Sequence, residues 1–183
     1  MTLILASASP RRAELLSSAG FVFDVAPAEV DETPAPDEAP EPYALRVARD
    51  KAAKAARRDL ASVVLAADTV VAVEGQILGK PADAADAERM LRLLSGGIHQ
   101  VHTAVVVRRG ADEQSDVVTT RVRFLPLSAA EIAWYVASGE PEGKAGAYAI
   151  QGRGARFIDW IEGSWSNVVG LPIATVHRLL ERP

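Results

Sequence analysis

The chain contains no cysteine, which excludes disulfides and thiolate metal sites and leads to the expectation of a cytoplasmic address. No apolar run approaches the ~18–20 residues of a membrane span. No basic segment precedes the first apolar residues, so no secretory signal is expected. Positive charge is not in excess either. The net charge of -4 speaks against a nucleic-acid binder, because affinity for a polyphosphate backbone needs a broad basic surface. Neither G-x-G-x-x-G nor G-x-x-x-x-G-K-[ST] occurs, so the two common nucleotide fingerprints are missing. Gly163-Ser164-Trp165-Ser166-Asn167 is not the G-x-S-x-G elbow of a hydrolase. Histidines are scarce: His99 and His102 are three apart on an expected strand, face opposite sides and cannot share a metal. His177 reads as a packed or exposed helix residue.

What is present is a folded composition, 49% hydrophobic and 24% charged over 183 residues. That is enough for one sizeable core and short of two ordinary domains, so a single domain over residues 1–183 is expected. Strand and helix patterns alternate. Leu3 to Ala6 form a strand, Ala13 to Ala19 a helix with Ser9 as N-cap and Pro10 at its first position, and Phe21 to Ala26 a second strand. The segment 26–42 holds five prolines and six acidic residues and reads as a loop. A helix follows from 41 to about 58, with Leu45, Ala48, Ala52 and Ala55 in its apolar stripe. Val63 to Ala67 and Val70 to Val73 read as strands, and Glu74-Gly75-Gln76 as a hairpin turn. A helix over 83–94 leads to two long strands, about 98–109 and 115–127. Ser128-Ala-Ala-Glu131 is a capping box. A short strand near Arg156 to Ile161 and a helix from about Pro172 complete an α/β chain with a mixed sheet.

Several residues could carry chemistry. Arg11 and Arg12 fall in the first turn of the first helix, the end whose dipole favours anions rather than cations. Two readings stand side by side: salt-bridging to an acid such as Glu14, or, with Ser7 and Ser9, cradling a phosphate or carboxylate. Asp68 follows an apolar strand at its expected carboxyl end, where open α/β sheets place ligands, and Thr69 beside it serves a turn or the ligand. Lys51 lies on the apolar side of its helix and either snorkels to water or meets phosphate. Lys80 projects from Gly79-Lys80-Pro81. Gln151, in a glycine-flanked turn, has an amide that both donates and accepts, suited to a base edge or a backbone group. Asp31 and Glu32 belong to the acidic loop. Trp134, Tyr135, Trp160 and Trp165 read as core or interface. Local cations together with paired carboxylates point to polyphosphate chemistry.

L-A-S-A-S-P-R-R, V-D-E, A-R-D-K-A, A-A-D-T-V-V and G-K-P, followed by S-G-G-I-H-Q-V-H-T-A-V, K-A-G-A-Y-A-I-Q-G and S-N-V-V-G-L-P, resemble in order the Maf family of nucleoside triphosphate pyrophosphatases. The A-Y-A-I-Q-G segment is similar to the subgroup acting on dTTP and UTP. The resemblance implies an elongated mixed α/β fold with two lobes around a deep cleft, often dimeric. It implies hydrolysis between the α and β phosphates to a monophosphate and pyrophosphate, with a house-cleaning role in the nucleotide pool. It implies Asp68 as the catalytic carboxylate and a divalent cation, Mg²⁺ or Mn²⁺, held by Glu32 and Asp68. Ser7, Arg11, Arg12, Lys51 and Lys80 would bind the triphosphate, and Arg12, Thr69 and Gln151 match positions associated with substrate choice. Asp31 aligns only as a neighbour. Two other readings remain open: a pyrophosphatase for 7-methyl-GTP or inosine-type triphosphates, and a non-enzymatic regulator that restrains septum formation.

Overall fold

The computed structural model describes residues 2–57 and 62–181. The elements in chain order are β1 (Leu3–Leu5), α1 (Pro10–Ser18), β2 (Asp24–Val25), α2 (Pro40–Ala56), β3 (Val63–Val73), β4 (Gln76–Leu78) and α3 (Ala84–Leu94). Then come β5 (Ile98–Arg109), β6 (Asp112–Phe124), α4 (Ala129–Ala137), β7 (Ile158–Glu162), α5 (Trp165–Val169) and α6 (Ile173–Glu181). Two short 3-10 turns, Ala145–Ala147 and Arg153–Phe157, lie between α4 and β7. The expected end of the second helix near residue 58 lies outside the described residues.

All seven strands join one mixed sheet, ordered β2-β1-β3-β5-β6-β7, with β4 beside β3. β1 runs parallel to β2 and β3, and every other pairing is antiparallel. Local chemistry explains several element ends. Glu74 and Gly75 both adopt positive φ, 50° and 80°, the geometry of the two-residue hairpin turn that matches strand twist. The Asp83 side chain accepts from the Asp86 N–H and starts α3, and Ser128 and Glu131 form both halves of the capping box of α4.

The long strands β3, β5 and β6 pass through more than one core. On one face, the small side chains of α2 pack on Val64, Ala66, Val70, Ala104 and Val106. The opposite face carries two cores. Leu16, Val176 and Leu179 cover Leu5, Leu65, Ala67, Val105 and Val107 at one end. At the other end Leu91, Leu94, Ile132, Tyr135 and Phe157 cover Val71, Val101, Val122 and Phe124. Between them a polar belt crosses the sheet. Thr69 Oγ1 lies 2.9 Å from Thr103 Oγ1, Thr103 donates to the Asn167 carbonyl, and the buried Asn167 amide donates to Val101 O and Thr120 Oγ1.

Two expectations change. β3 is one continuous strand, so Asp68 and Thr69 sit mid-strand rather than beyond a strand end. The reason is β5, which pairs with β3 from Val63 to Ala72, placing Asp68 opposite Ala104 and Thr69 opposite Thr103; ladder hydrogen bonds use backbone groups and are indifferent to side-chain polarity. β2 shrinks to two exposed residues, because only Asp24 and Val25 pair with Ile4 and Leu5.

The other edge of β3 is decisive for the site. β1 pairs with Val63–Leu65 and β4 with Val71–Val73, so among the described residues Ala66–Val70 have no strand neighbour on that side. The gap opens beyond the carboxyl end of β1, where parallel α/β units place ligands.

Gly146 closes the segment 145–147 onto this region. It has φ +69° and its N–H donates to Gly79 O, while a Cβ there would lie 2.8 Å from a Val71 methyl. Gly146→Ala should therefore lower the unfolding free energy by about 1–3 kcal/mol through overpacking and strain, read as a lower urea midpoint at unchanged slope.

Candidate functional site

A cavity of about 780 Å³ lies over the gap in β3. Ser7, Arg11, Arg12, Glu32, Lys51, Asp68, Thr69, Lys80 and Gln151 all line it. Asp31 is exposed and bonded to the Thr33 N–H, and is not among the lining residues. The nine come from six separate stretches of chain: the β1–α1 turn with the first turn of α1, the acidic loop, α2, the middle of β3, the loop after β4 and the turn around Gln151.

Alternation along β3 sends Asp68 and Thr69 to opposite faces of the sheet. Asp68 points toward α2, where Tyr43, Val47 and Lys51 recur every four residues on one helix face. Lys51 Nζ lies 2.7 Å from Asp68 Oδ1 and 2.7 Å from Glu32 Oε1, so it neither snorkels to water nor stands alone. Lys80 Nζ reaches Glu32 Oε2 at 3.0 Å. The acidic loop is held in place by α2: the Tyr43 hydroxyl donates to Glu32 O at 2.8 Å, and Arg46 binds both Glu38 oxygens and Thr33 O.

Burial and charge drive the two carboxylates apart. Burial raises the Asp68 pKa above the usual carboxylate range, and the charges of Lys51 and Arg12 only partly offset it. Glu32 is less buried; burial opposes its ionisation, but hydrogen bonds and charge from Lys51 and then Lys80 outweigh this and hold its pKa below the usual value. Two acids sharing one lysine thus have opposite proton affinities.

The paired arginines divide their work. Arg12 is 8% exposed, and its guanidinium fills the gap in β3. Nε donates to Gly170 O at 2.7 Å, Nη1 to Ala67 O at 2.8 Å and Ser7 Oγ at 3.2 Å, and Nη2 to Thr69 Oγ1 at 3.0 Å. These bonds tie α1, β3 and the end of α5 together. Arg11 is half-buried at the cavity wall; burial lowers its pKa, with Glu14 opposing. Ser9 holds the N-cap position, yet its side chain makes no capping bond; its N–H instead donates to Ser7 Oγ. The start of α1 therefore faces the cavity without a side-chain cap, and its dipole favours an anion there.

Lys144 was not singled out by sequence reasoning, although it lies in K-A-G-A-Y-A-I-Q-G. It also lines the cavity, and burial followed by the charge of Arg11 lowers its pKa. Tyr43 was missed as well; its four-residue spacing to Val47 and Lys51 was the available signal. The histidines stay apart as expected: His99 bonds the Tyr148 hydroxyl on one face and His102 bonds Thr119 on the other. Among the described residues no group of three or more His, Cys, Asp or Glu side chains could hold a metal unaided. No helix among them is long and apolar enough to cross a membrane.

Comparison with known proteins adds the following. The family model described as Maf-like protein matches residues 2–183. A dTTP/UTP pyrophosphatase of Anaeromyxobacter dehalogenans (strain 2CP-C) is 55% identical, covering 98% of this chain and 93% of the relative. The enzymes of the same description from Myxococcus xanthus (strain DK1622) and Koribacter versatilis (strain Ellin345) are 53% and 50% identical, covering 98% and 100% of this chain and 91% and 94% of theirs. Among solved structures, the Ham1 protein of Staphylococcus aureus aligns with a TM-score of 0.56 at 15% identity, over 99% of this chain and 98% of that one. A HAM1 protein from Coxiella burnetii gives 0.53 at 14% identity over 98% of each; these two likenesses establish the fold alone.

The bonding of the two arginines yields a stability contrast. Arg12→Ala removes four hydrogen bonds of a buried side chain and leaves a cavity between α1, β3 and the end of α5, and should destabilise the fold by about 3–5 kcal/mol. Arg11→Ala should stay within ~0.5 kcal/mol of wild type. Chemical denaturation of the two variants side by side checks the difference.

Proposed function

Because the chain belongs to the Maf-like protein family, we propose that it hydrolyses dTTP and UTP between the α and β phosphates, releasing a nucleoside monophosphate and pyrophosphate. One observation carries the reading: a single cleft gathers Arg11, Lys51, Lys80 and Lys144 with the unevenly titrating pair Asp68 and Glu32. With Arg12, five cations among the described residues line this cleft, which suits a ligand of several negative charges although the chain as a whole is acidic.

In this reading Arg11 and the uncapped start of α1 receive phosphate oxygens. Lys51, Lys80 and Lys144 offset the charge that develops on the departing pyrophosphate. Asp68 is the proton acceptor. Its raised pKa makes it the more basic of the two carboxylates, and a base nearer the working pH takes a proton from the attacking water more effectively. Glu32, with its lowered pKa, stays ionised and keeps Lys51 and Lys80 in position. The donor set also fits a divalent cation. Glu32 and Asp68 are hard oxygen donors that already share one cation, Lys51 Nζ, at 2.7 Å from each, and Mg²⁺ is commonly held by one or two carboxylates plus substrate phosphates. When bound there, Mg²⁺ or Mn²⁺ supplies charge that neutralises the phosphates and polarises the phosphoryl group.

Gln151 is the group that reads the base. Thymine and uracil present an N3–H flanked by carbonyls, and a carboxamide can accept from the one and donate to the other. Cytosine presents the reverse pattern, an acceptor at N3 and an amine at C4, so an amide held in the orientation that suits uracil discriminates against it by ~1–3 kcal/mol for each unpaired group.

Pyrophosphate release measured on dTTP, UTP, CTP, 7-methyl-GTP and ITP tests the substrate class. The expected order places dTTP and UTP first; a highest kcat/KM for 7-methyl-GTP or ITP overturns it. Asp68→Asn should lower kcat about 10²–10⁴-fold without lowering thermal stability; wild-type turnover would remove Asp68 from its role. The sign of the pH dependence follows from the role of Asp68: only the carboxylate accepts a proton, so kcat/KM should fall on acidification, as a pH–rate profile checks.

A further inference from the structure

Glu140 follows α4 and does not line the cleft, yet its carboxylate is engaged on every side. Oε1 accepts from the Tyr135 hydroxyl at 2.8 Å and from the Gly154 N–H at 3.0 Å, and Oε2 accepts from the Arg153 N–H at 2.9 Å. The Tyr135 hydroxyl in turn accepts from the Ala149 N–H at 3.1 Å. The backbone two residues before Gln151 and the backbone two and three residues after it therefore end on one carboxylate.

The glycines of Q-G-R-G make room for this clamp. A Cβ at Gly152 would lie 2.5 Å from both Glu140 oxygens. One at Gly154 would lie 2.8 Å from Ala149 O and 2.9 Å from the Tyr135 hydroxyl. Neither glycine needs positive φ, since Gly152 has φ −110° and Gly154 is absent from the positive-φ positions; close approach alone explains them. Burial opposes the charge of Glu140, but the N–H bonds from Arg153 and Gly154 and then the Tyr135 hydroxyl outweigh it and keep its pKa below the usual range. It is an ionised acceptor at neutral pH, and charge-assisted bonds of this kind are about twice as strong as neutral ones.

We infer that Glu140 is a positioning residue for base selection: it holds the turn 149–154 at both ends and so fixes where the Gln151 amide stands in the cleft. The inference rests on the reading of Gln151 as the group that meets the base. A side chain selects by hydrogen bonding only if its own backbone cannot shift to satisfy the wrong partner. With the clamp intact, the turn holds the amide where its oxygen meets the N3–H of uracil, the orientation that is mismatched to cytosine. With the clamp released, the turn relaxes and the amide is free to turn over and pair with cytosine.

The test is the ratio of kcat/KM for UTP over CTP, which is independent of how much enzyme is folded. It is measured with Mg²⁺ for wild type, Glu140→Ala, Glu140→Gln, Gly152→Ala, Gln151→Ala and the Glu140→Ala/Gln151→Ala double variant. Glu140→Ala should lower the ratio about tenfold, the factor for one lost hydrogen bond, mainly by raising KM for UTP with kcat within about twofold. Gly152→Ala, which leaves the carboxylate in the chain but drives it off the turn, should do the same. Glu140→Gln keeps the shape and loses one acceptor oxygen, so its ratio should lie between. The double variant should be no less selective than Gln151→Ala alone, because both changes act through one amide. If Glu140→Ala lowers activity on UTP and CTP by the same factor while Gln151→Ala lowers the ratio, Glu140 only supports the fold and the inference fails. If Gln151→Ala leaves the ratio unchanged, the base-reading role of Gln151 fails and the inference falls with it.

Discussion

The guanidinium of Arg12 stands where a backbone partner would otherwise be. β1 and β4 both pair with the same edge of β3 and leave Ala66–Val70 uncovered between them. A buried strand edge with an unpaired carbonyl is costly; Arg12 bonds one such carbonyl, Ala67 O, and at the same time Gly170 O, Ser7 and Thr69. The gap is needed because the cleft occupies it, and the bonds of Arg12 let the sheet stay open there. Its neighbour Arg11, fixed on the same helix turn, is thereby aimed at the cavity wall.

The electrostatics follow from that placement. Asp68 lies in the middle of an apolar strand, so burial works against its charge; Glu32 lies in a loop and answers to two lysines. The same two residue types would titrate alike in water. Their different depths separate them: burial raises the pKa of one, and the lysines lower that of the other. An acidic chain can bind an anionic substrate because its cations converge from several distant stretches while most of its acids face solvent.

Much of the fold was legible in local chemistry. The capping box at Ser128 and Glu131 and the Glu74-Gly75 turn each depend on residues within a few positions of one another, and each appears as read. The residues singled out through the ordered motifs from Ser7 to Gln151 all reach one cavity. Asp68 was expected past a strand end because a carboxylate and a threonine interrupt an apolar run. Its true setting depends on β5, some 35 residues downstream, whose ladder carries straight across the interruption. Lys144 and Glu140 were passed over for a related reason: a lysine or glutamate in a glycine-rich stretch has no periodicity to mark it.

The sequence by itself determined the alternation of strands and helices, the absence of disulfide and thiolate chemistry, and which cations and carboxylates were available, since composition, periodicity and short motifs are local properties. Only the tertiary structure decided which arginine is buried as a tie and which is half-buried at the cavity wall, which carboxylate is raised in pKa and which is lowered, and which acid bonds the turn around Gln151. Those distinctions arise from burial and from hydrogen bonds between residues as far apart as Arg12 and Gly170. Neither quantity exists until the sheet has closed around the gap.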